Sequence, residues 1–189
     1  MAIAPGTPLL RQLRAELTNV ADPQRAPRMQ GYMKSAMPFH GVPSPLLKAV
    51  ARRVFGEVAL PSLAAWRDEV LGLWRGARFR EERYAALILA GDRRARAFQT
   101  PKLLPLYEEL VVTGAWWDYV DEIASDRIGP ILLAHPAEVA PVMRAWSEPD
   151  NLWKRRSSIL SQLRFKDQTD SALLYDCIGP SVGSREFFL

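Results

Sequence analysis

Just past the middle of the chain, residues 113–122 read TGAWWDYVDE and place two adjacent tryptophans beside several carboxylates. If this stretch is helical, Trp117 and Asp121 are four residues apart and share one stripe of the helix. An aromatic face with an anion one turn beyond it can stabilise a cation, through the ring electrons and the negative charge together. The alternative stays open on spacing alone: Trp117 is then a second core residue and Asp121 a solvent-exposed acid, as charged helix positions commonly are.

The neighbouring stripe of the same helix is predicted to be core. Trp116, Val120 and Ile123 follow one another at spacings of four and three, which is the period of a buried helix face. Thr113 and the glycine after it give a helix-start signal, so we predict a helix over residues 115–134. This helix would pack through one stripe and present Trp117 and Asp121 on the next.

The composition is that of an ordinary globular protein. The 189 residues suit one domain, and the formal net charge of +4 is only weak support for a nucleic acid partner. Cys177 is the single cysteine, which excludes an internal disulfide and a cysteine-based zinc site. No apolar run reaches the length of a membrane span and no signal-peptide pattern opens the chain, so we expect a cytoplasmic monomer without a membrane partner.

Apolar residues at helical spacing, and prolines at helix starts, predict an all-α chain. No stretch shows the period of two that a strand requires. The connections are short, which favours antiparallel helix pairs. Helices are predicted over residues 7–20, 23–36, 46–58, a segment starting at 61, and 79–98, 102–112, 115–134, 136–146, 151–165 and 170–178.

Similar segments recur along the chain at intervals of about 36 residues, which is typical of helical repeats. Residues 83–88 align with residues 155–160, and residues 119–124 lie halfway between them. Two helices in each repeat of this length indicate an α-solenoid superhelix, in which corresponding helices line one concave face. Asp121 and Arg156 would then belong to one shared ligand surface.

The same repeat bears on the last residues. One repeat after residue 151 lies a segment in which Ser184 resembles a helix N-cap. Phe187 and Phe188 would be poorly buried there without more helix. We therefore expect a single domain over residues 1–189, truncated at its C-terminus, with a further helix starting at about Ser184.

Several segments, taken in order, resemble those of a known family. From about Pro23 to Leu189 the chain resembles the DNA alkylation repair family of AlkD-like DNA glycosylases. The resemblance implies an α-solenoid of HEAT-like antiparallel helix pairs with a concave DNA-binding face. The tryptophan-rich motif is the most specific of the segments, which are residues 32–34 (YMK), 116–121 (WWDYVD), 135–136 (HP), 150–156 (DNLWKRR) and 184–188 (SREFF).

This resemblance implies excision of positively charged alkylated bases, such as 3-methyladenine and 7-methylguanine, from double-stranded DNA. The family needs no cofactor and does not flip the base into a pocket. Carried over by motif, Trp117 and Asp121 form the catalytic pair that approaches the sugar of the damaged nucleotide, and Arg156 holds a phosphate nearby. A second tryptophan of the family's catalytic cleft would lie beyond Leu189.

The residues fit this chemistry. A base that already carries a positive charge leaves without protonation, so no general acid is required. Loss of the base builds positive charge on the sugar, and an anion and a π face stabilise that charge more in the transition state than in the ground state. Asp121 would supply the anion and could also orient or deprotonate a water. Such modest contributions suffice only for a labile bond, which predicts poor activity on neutral lesions.

Cations that face phosphates should dominate DNA binding and make it salt-sensitive. The candidates are Arg156, then Arg155, Lys166 and Lys34, with Tyr32 as either a backbone contact or a core residue. His40 and His135 lack acids at ligand spacing, so no metal site is predicted. A second basic cluster is equally well explained as a solvated helix face with interspersed acids; it comprises Arg80, Arg83, Arg93, Arg94 and Arg96 with Glu81, Glu82 and Asp92.

A non-catalytic function stays open beside the enzymatic one. A HEAT-like scaffold could bind DNA or a protein through the same face, and fold alone does not establish activity. Asp121 separates the two hypotheses. A carboxylate in a phosphate-binding groove repels DNA, and a scaffold has no reason to keep one there, so the sequence favours the enzyme.

Overall fold

A computed structural model describes residues 7–148 and 150–189. Within these two ranges the chain forms α-helices joined by short 3₁₀ turns and one π-helical segment, without any strand, which confirms the prediction of an all-α chain. The helices are α1 (Pro8–Asn19), α2 (Ala26–Met33), α3 (Ser44–Gly56), α4 (Leu63–Gly76), α5 (Arg80–Ala90), α6 (Leu104–Gly114), α7 (Trp117–Glu122), α8 (Gly129–Ala134), α9 (Pro136–Ser147), α10 (Leu152–Leu160) and α11 (Ser171–Ile178).

Most helix boundaries fall within a few residues of the predicted ones, and the larger differences have local causes. Helix α5 ends before Gly91, and Arg93–Phe98 forms a 3₁₀ turn. In this turn the guanidinium of Arg94 donates to the carbonyls of Phe55, in the last turn of α3, and of Val58, just after it, at 2.8 and 2.9 Å. Helix α10 ends at Leu160, five residues earlier than expected.

The chain divides into two compact units, Met1–Ala95 and Arg96–Leu189. In the first unit, helices α1, α3, α4 and α5 pack against one another. The indole nitrogen of Trp66 donates to the carbonyl of Leu89 at 3.1 Å, which satisfies the one polar atom of this buried side chain. The fully buried residues of this core include Leu10, Leu13, Leu17, Val54, Val70, Leu73, Trp74 and Leu87.

Two consecutive acids of α5 are buried completely in the first unit, so the interpretation of this region as a solvated face is wrong for them. The Glu81 carboxylate accepts the backbone N–H groups of His40, Gly41 and Val42 at 3.0, 2.9 and 3.1 Å. Buried backbone amides need acceptors, and residues 38–43 have no helix or sheet to supply them. Glu81 therefore holds this connection in the core.

Glu82 serves a second set of donors. Its carboxylate accepts Arg14 Nε at 2.6 Å, Arg14 Nη2 at 2.9 Å and the amide of Arg78 at 2.7 Å. The imidazole of His40 lies 3.5 Å from the same carboxylate and stacks on Phe79 with ring centroids 3.8 Å apart. The pair of acids thus joins α1, α5 and the connection before α3.

The buried connection requires a glycine, and we expect Gly41→Ala to lower the free energy of unfolding by about 3 kcal/mol. Gly41 has φ +83°, and an added Cβ would lie 2.1 Å from the carbonyl oxygen of Asp22. The control is Gly31→Ala in α2, where no described atom beyond the chain neighbours and the helix's own backbone lies within 4 Å of the new Cβ. This control should gain about 0.5–1 kcal/mol from helix propensity. Urea unfolding measures both changes, and equal stability of the two variants would contradict the expectation.

In the second unit, helices α6, α8 and α10 pack against α7 or the π-helical segment Ile123–Ile128, and α9 and α11 pack against α10 and against each other. Helix α7, this segment and α8 form one continuous helical stretch. Helices α5, α7 and α10 start at residues 80, 117 and 152, so their starts are 37 and 35 residues apart, in agreement with the predicted repeat. The core includes Tyr107, Leu110, Val111, Tyr119, Val120, Ile123, Ile128, Val139, Met143 and Cys177.

None of the helices in the described ranges has both the length and the apolar character needed to cross a membrane.

Candidate active site

Asp121 and Arg156 form a two-pronged ion pair in the second unit. Asp121 is the fifth residue of the short helix α7, and Arg156 is in the middle of α10. Arg156 Nε donates to Oδ1 at 2.6 Å and Nη2 donates to Oδ2 at 2.7 Å. The side chains keep 21% and 31% of their surface exposed, for arginine and aspartate respectively. Parallel charged hydrogen bonds of this kind are strong and fix the orientation of both groups.

A third donor of the same guanidinium is used by the C-terminal segment. Arg156 Nη1 donates to the carbonyl oxygen of Phe188 at 2.7 Å, and the guanidinium carbon lies 5.9 Å from the centre of the Phe188 ring. A guanidinium has five N–H donors, so Asp121 and Phe188 leave two for another acceptor. Arg156 can therefore keep both hydrogen bonds to Asp121 and still donate to a phosphate oxygen.

Aromatic rings form a wall beside this pair. The Phe188 ring lies 5.5 Å from Trp116 and 5.3 Å from Trp153, and the two indoles are 6.2 Å apart. The prediction that Trp116 is a core residue is wrong, because it is only half-buried, and Trp153 is half-buried as well. Trp116 precedes α7 in extended conformation, with φ −154° and ψ 146°, so it does not share a helical stripe with Val120.

The predicted helix start at Thr113 is also wrong. The hydroxyl of Thr113 donates to the carbonyl of Glu109 inside α6, which continues to Gly114. Ala115 then takes a left-handed conformation, with φ 45°, and α7 begins at Trp117. Trp117 and Asp121 remain one turn apart on a helix, and both are half-buried. Their expected catalytic roles stay predictions.

Arg155 points to a different part of the second unit. Its Nη2 and Nε atoms donate to the hydroxyl of Ser181 at 3.1 and 3.3 Å. Lys166 is exposed in a left-handed position with φ 54°. The structure thus brings Asp121 and Arg156 into contact and places the two other predicted cations of this unit elsewhere on its surface.

Tyr32 and Lys34 belong to the first unit. Tyr32 is 78% exposed, so its interpretation as a core residue is wrong. Lys34 ends α2 in a left-handed conformation with φ 47° and is exposed. Both side chains are accessible to a ligand.

Two further acids near Asp121 pair with arginines. Glu122 accepts Arg127 Nη2 at 2.8 Å, and Asp126 accepts Arg164 Nη2 at 3.0 Å. Within residues 7–148 and 150–189, no three histidine, cysteine or acidic side chains are grouped so that they could hold a metal ion. Burial raises the pKa of the Cys177 thiol, which makes it a poor nucleophile.

The C-terminal residues are a turn, and no helix is formed over residues 184–189. The hydroxyl of Ser184 accepts the amide of Glu186 at 3.3 Å, but no helix follows, so this is a local turn contact and not the helix N-cap predicted there. Phe187 is 91% exposed, in agreement with the expected poor burial, whereas Phe188 is half-buried against the tryptophans. Sequence reasoning did not place Phe188 on Arg156, although the motif that contains it was one basis of the family resemblance.

Comparisons with known proteins bear on the identity of the chain. Among solved structures, a predicted DNA alkylation repair enzyme from Enterococcus faecalis is similar, with a TM-score of 0.75 and 26% sequence identity over 89% of this chain and 77% of that one. A search of curated proteins found no match. Residues 13–189 match the model of the family described as DNA alkylation repair enzyme. Because this match covers nearly the whole chain, the protein belongs to the DNA alkylation repair enzyme family.

Proposed function

We propose that this protein is a DNA glycosylase, a hydrolase of N-glycosyl bonds that removes positively charged alkylated purines from double-stranded DNA. Its substrates would be lesions such as 3-methyladenine and 7-methylguanine. A scaffold of HEAT-like repeats would hold the DNA while the base is excised, without flipping the base into a pocket. Family membership supports DNA alkylation repair with DNA as the partner. The observation that carries the proposal is the Asp121–Arg156 ion pair one helical turn after Trp117.

The pair suits a reaction that separates charge. As the cationic base departs, positive charge develops on the sugar, and the Asp121 carboxylate and the Trp117 face would stabilise it. Arg156 can bind a backbone phosphate through its two remaining donors while holding Asp121. Phosphate, guanidinium, carboxylate and sugar then alternate in sign, so each contact is favourable. The rigid pair is oriented before the substrate arrives, which avoids reorganisation during the reaction.

The same geometry weighs against a non-catalytic scaffold. The Asp121 carboxylate retains about a third of its surface exposed, so a negative group remains accessible beside the proposed phosphate contact. Such a group weakens electrostatic attraction to DNA. A surface selected only for DNA affinity gains nothing from this acid, whereas a site that stabilises a sugar cation requires it.

Arg155 is the best-placed further cation for phosphate binding in the second unit. Its hydrogen-bond partners are neutral oxygens of Ser181 and Pro180, and no carboxylate within residues 7–148 and 150–189 forms an ion pair with it. By contrast, Arg164 is paired with Asp126. The Ser181 hydroxyl accepts from Arg155 and keeps its own hydrogen to donate to a phosphate. We assign Lys166, Lys34 and Tyr32 supporting contacts to the DNA backbone.

For Arg155→Gln we expect uniformly weaker binding to undamaged and methylated duplexes. The slope of log affinity against log salt should fall by about one, because one fewer phosphate is neutralised. The single-turnover rate at saturating enzyme should not change. Fluorescence anisotropy at several salt concentrations measures the slope. Arg164→Gln is the matched control and should change it less, since Asp126 already neutralises that charge; equal slopes for the two variants would refute the assignment of Arg155.

The function itself is tested by release of 7-methylguanine from a methylated duplex, with a duplex that carries a neutral alkylated base as comparison. We expect release of the cationic base and little release of the neutral one. No release from either duplex, with binding intact, would instead support the non-catalytic module.

A further inference from the structure

The helix that carries Asp121 changes its hydrogen-bond register directly after the site. Residues Ile123–Ile128 are π-helical, and the amide of Gly129 donates to the carbonyl of Ala124, five residues earlier. Pro130 follows at the start of α8 and has no amide hydrogen to donate. An α-helical register would also press its ring against the carbonyl of Asp126. The wider turn before the proline avoids this contact, and such π turns are rare and often occur at functional sites.

Two contacts connect the π segment to α7. The Ser125 hydroxyl donates to the backbone carbonyl of Asp121 at 2.8 Å. Arg127 pairs with Glu122, the residue after Asp121, at 2.8 Å. Residues five apart in an α-helix point about 140° away from each other, whereas the wider π turn brings them closer together. The π-helical register of this segment therefore fixes the position of the α7 backbone at Asp121.

A third contact connects the segment to α10. A Cβ at Gly129 would lie 2.7 Å from the carbonyl oxygen of Ser161, so only glycine permits this approach. Ser161 directly follows α10, five residues after Arg156. The position of the arginine relative to Asp121 thus depends on a backbone contact at residue 129.

We propose that Gly129 and Pro130 are positioning residues, which set the π register and the close approach of α10 and so hold Asp121 and Arg156 in their two-pronged geometry. Neither residue has a side chain that could take part in the chemistry. The catalytic consequence rests on the proposed glycosylase function, but the effect on the ion pair does not.

The test is Gly129→Ala with two readouts. The first is the Nε–H signal of Arg156 in a ¹⁵N correlation spectrum, assigned by its loss in Arg156→Lys. The second is single-turnover release of 7-methylguanine, with duplex affinity measured in parallel. We expect a displaced or broadened signal and release slower by about tenfold or more, since small misplacements of reacting groups are costly. Affinity should change less than about twofold, because the phosphate contacts that dominate it remain.

Gly56→Ala is the control, since this glycine also lies in a helix and no described atom beyond its chain neighbours and its own helix backbone is within 4 Å of the added Cβ. It should alter neither readout. A folded Gly129→Ala protein with the wild-type Arg156 signal and the wild-type rate would overturn the proposal.

If Gly129→Ala shows no cooperative thermal transition, it is not folded, and Pro130→Ala then serves as the test of the proposal. Pro130 is exposed, so its replacement removes no packing and restores an amide hydrogen. We expect the same changes in the signal and the rate, and wild-type values for both would again overturn the proposal. If the wild-type protein releases no base, the glycosylase function fails, but the Arg156 signal still tests the positioning role.

Discussion

Asp121→Asn is expected to lower single-turnover release of 7-methylguanine by about 100-fold or more, the effect of removing one oriented electrostatic group from a catalytic site. Asparagine preserves the size of the side chain but not its negative charge. The sugar cation loses its counter-charge, while the phosphate contacts remain. Duplex binding should be unchanged or tighter, because a negative group beside DNA has been removed and Arg156 is released from the ion pair.

Asp126→Asn is the matched control for this experiment. Asp126 lies on the same helical stretch and pairs with Arg164, whose side chain is exposed. Its replacement should change neither release nor binding by more than about twofold, as is usual for exposed ion pairs. Release at the wild-type rate by Asp121→Asn would exclude the electrostatic mechanism. A loss of release that is matched by a loss of binding would show that the change has disturbed the fold.

The helices and the Asp121–Arg156 contact could both be predicted because each leaves a repeating signal in the sequence. Helices bury residues at a period near 3.6, and α5, α7 and α10 start at nearly equal intervals. Arg156 follows Asp121 by about one repeat. Residues at equivalent places in adjacent helical repeats lie side by side, so the contact follows from the spacing.

Features that depend on a single tertiary contact could not be predicted in this way. Glu81 and Glu82 are interspersed among arginines, a charge pattern typical of a solvated helix face, yet both are fully buried. Their partners include backbone amides of residues 40–42 and the guanidinium of Arg14, which are distant in sequence. No pattern in α5 encodes these donors. Burial of an acid is tolerated only when such partners are present. Because the partners lie outside α5, the sequence of this helix alone predicts exposed acids, which is wrong.

The π-helical register was missed for a related reason. Pro130 lies in the interior of the predicted helix, where a proline disturbs the α-helical register, but the helical pattern continues on both sides of it and a proline does not by itself specify a π turn. The predicted helix over residues 115–134 therefore contained the right residues in the wrong register at Ile123–Ile128. Gly129 gave no signal either, because its need for glycine comes from the carbonyl of Ser161 on another element.

Glu82→Gln is expected to lower the free energy of unfolding at pH 7 by about 3 kcal/mol and to flatten its acid dependence. Burial alone would raise the pKa of Glu82, but hydrogen bonds from Arg14, His40 and the Arg78 amide outweigh burial and lower the pKa from 4.5 to about 2. A shift of one pKa unit corresponds to about 1.4 kcal/mol, which gives the size of the effect.

The sign of the pH dependence follows from the lowered pKa in the folded protein. Above about pH 4.5 the carboxylate is ionised in both states, so the full stabilisation is present. As the pH falls towards 2, the unfolded chain takes up the proton first and the stabilisation is lost. Glutamine cannot take up that proton. The variant should therefore have a lower free energy of unfolding than the wild type at pH 7, but this free energy should fall less between pH 4.5 and pH 2.

Urea unfolding at pH 7, 4.5 and 3 measures both parts of this expectation. Glu16→Gln is the control, because Glu16 pairs with the largely exposed Arg53 and should contribute less than about 1 kcal/mol. Parallel pH profiles for the wild type and Glu82→Gln would show that other groups control acid stability. If the free energy of unfolding falls more steeply with decreasing pH in the wild type than in Glu82→Gln, the buried Glu82–Arg14 pair is the acid-sensitive contact between α1 and α5.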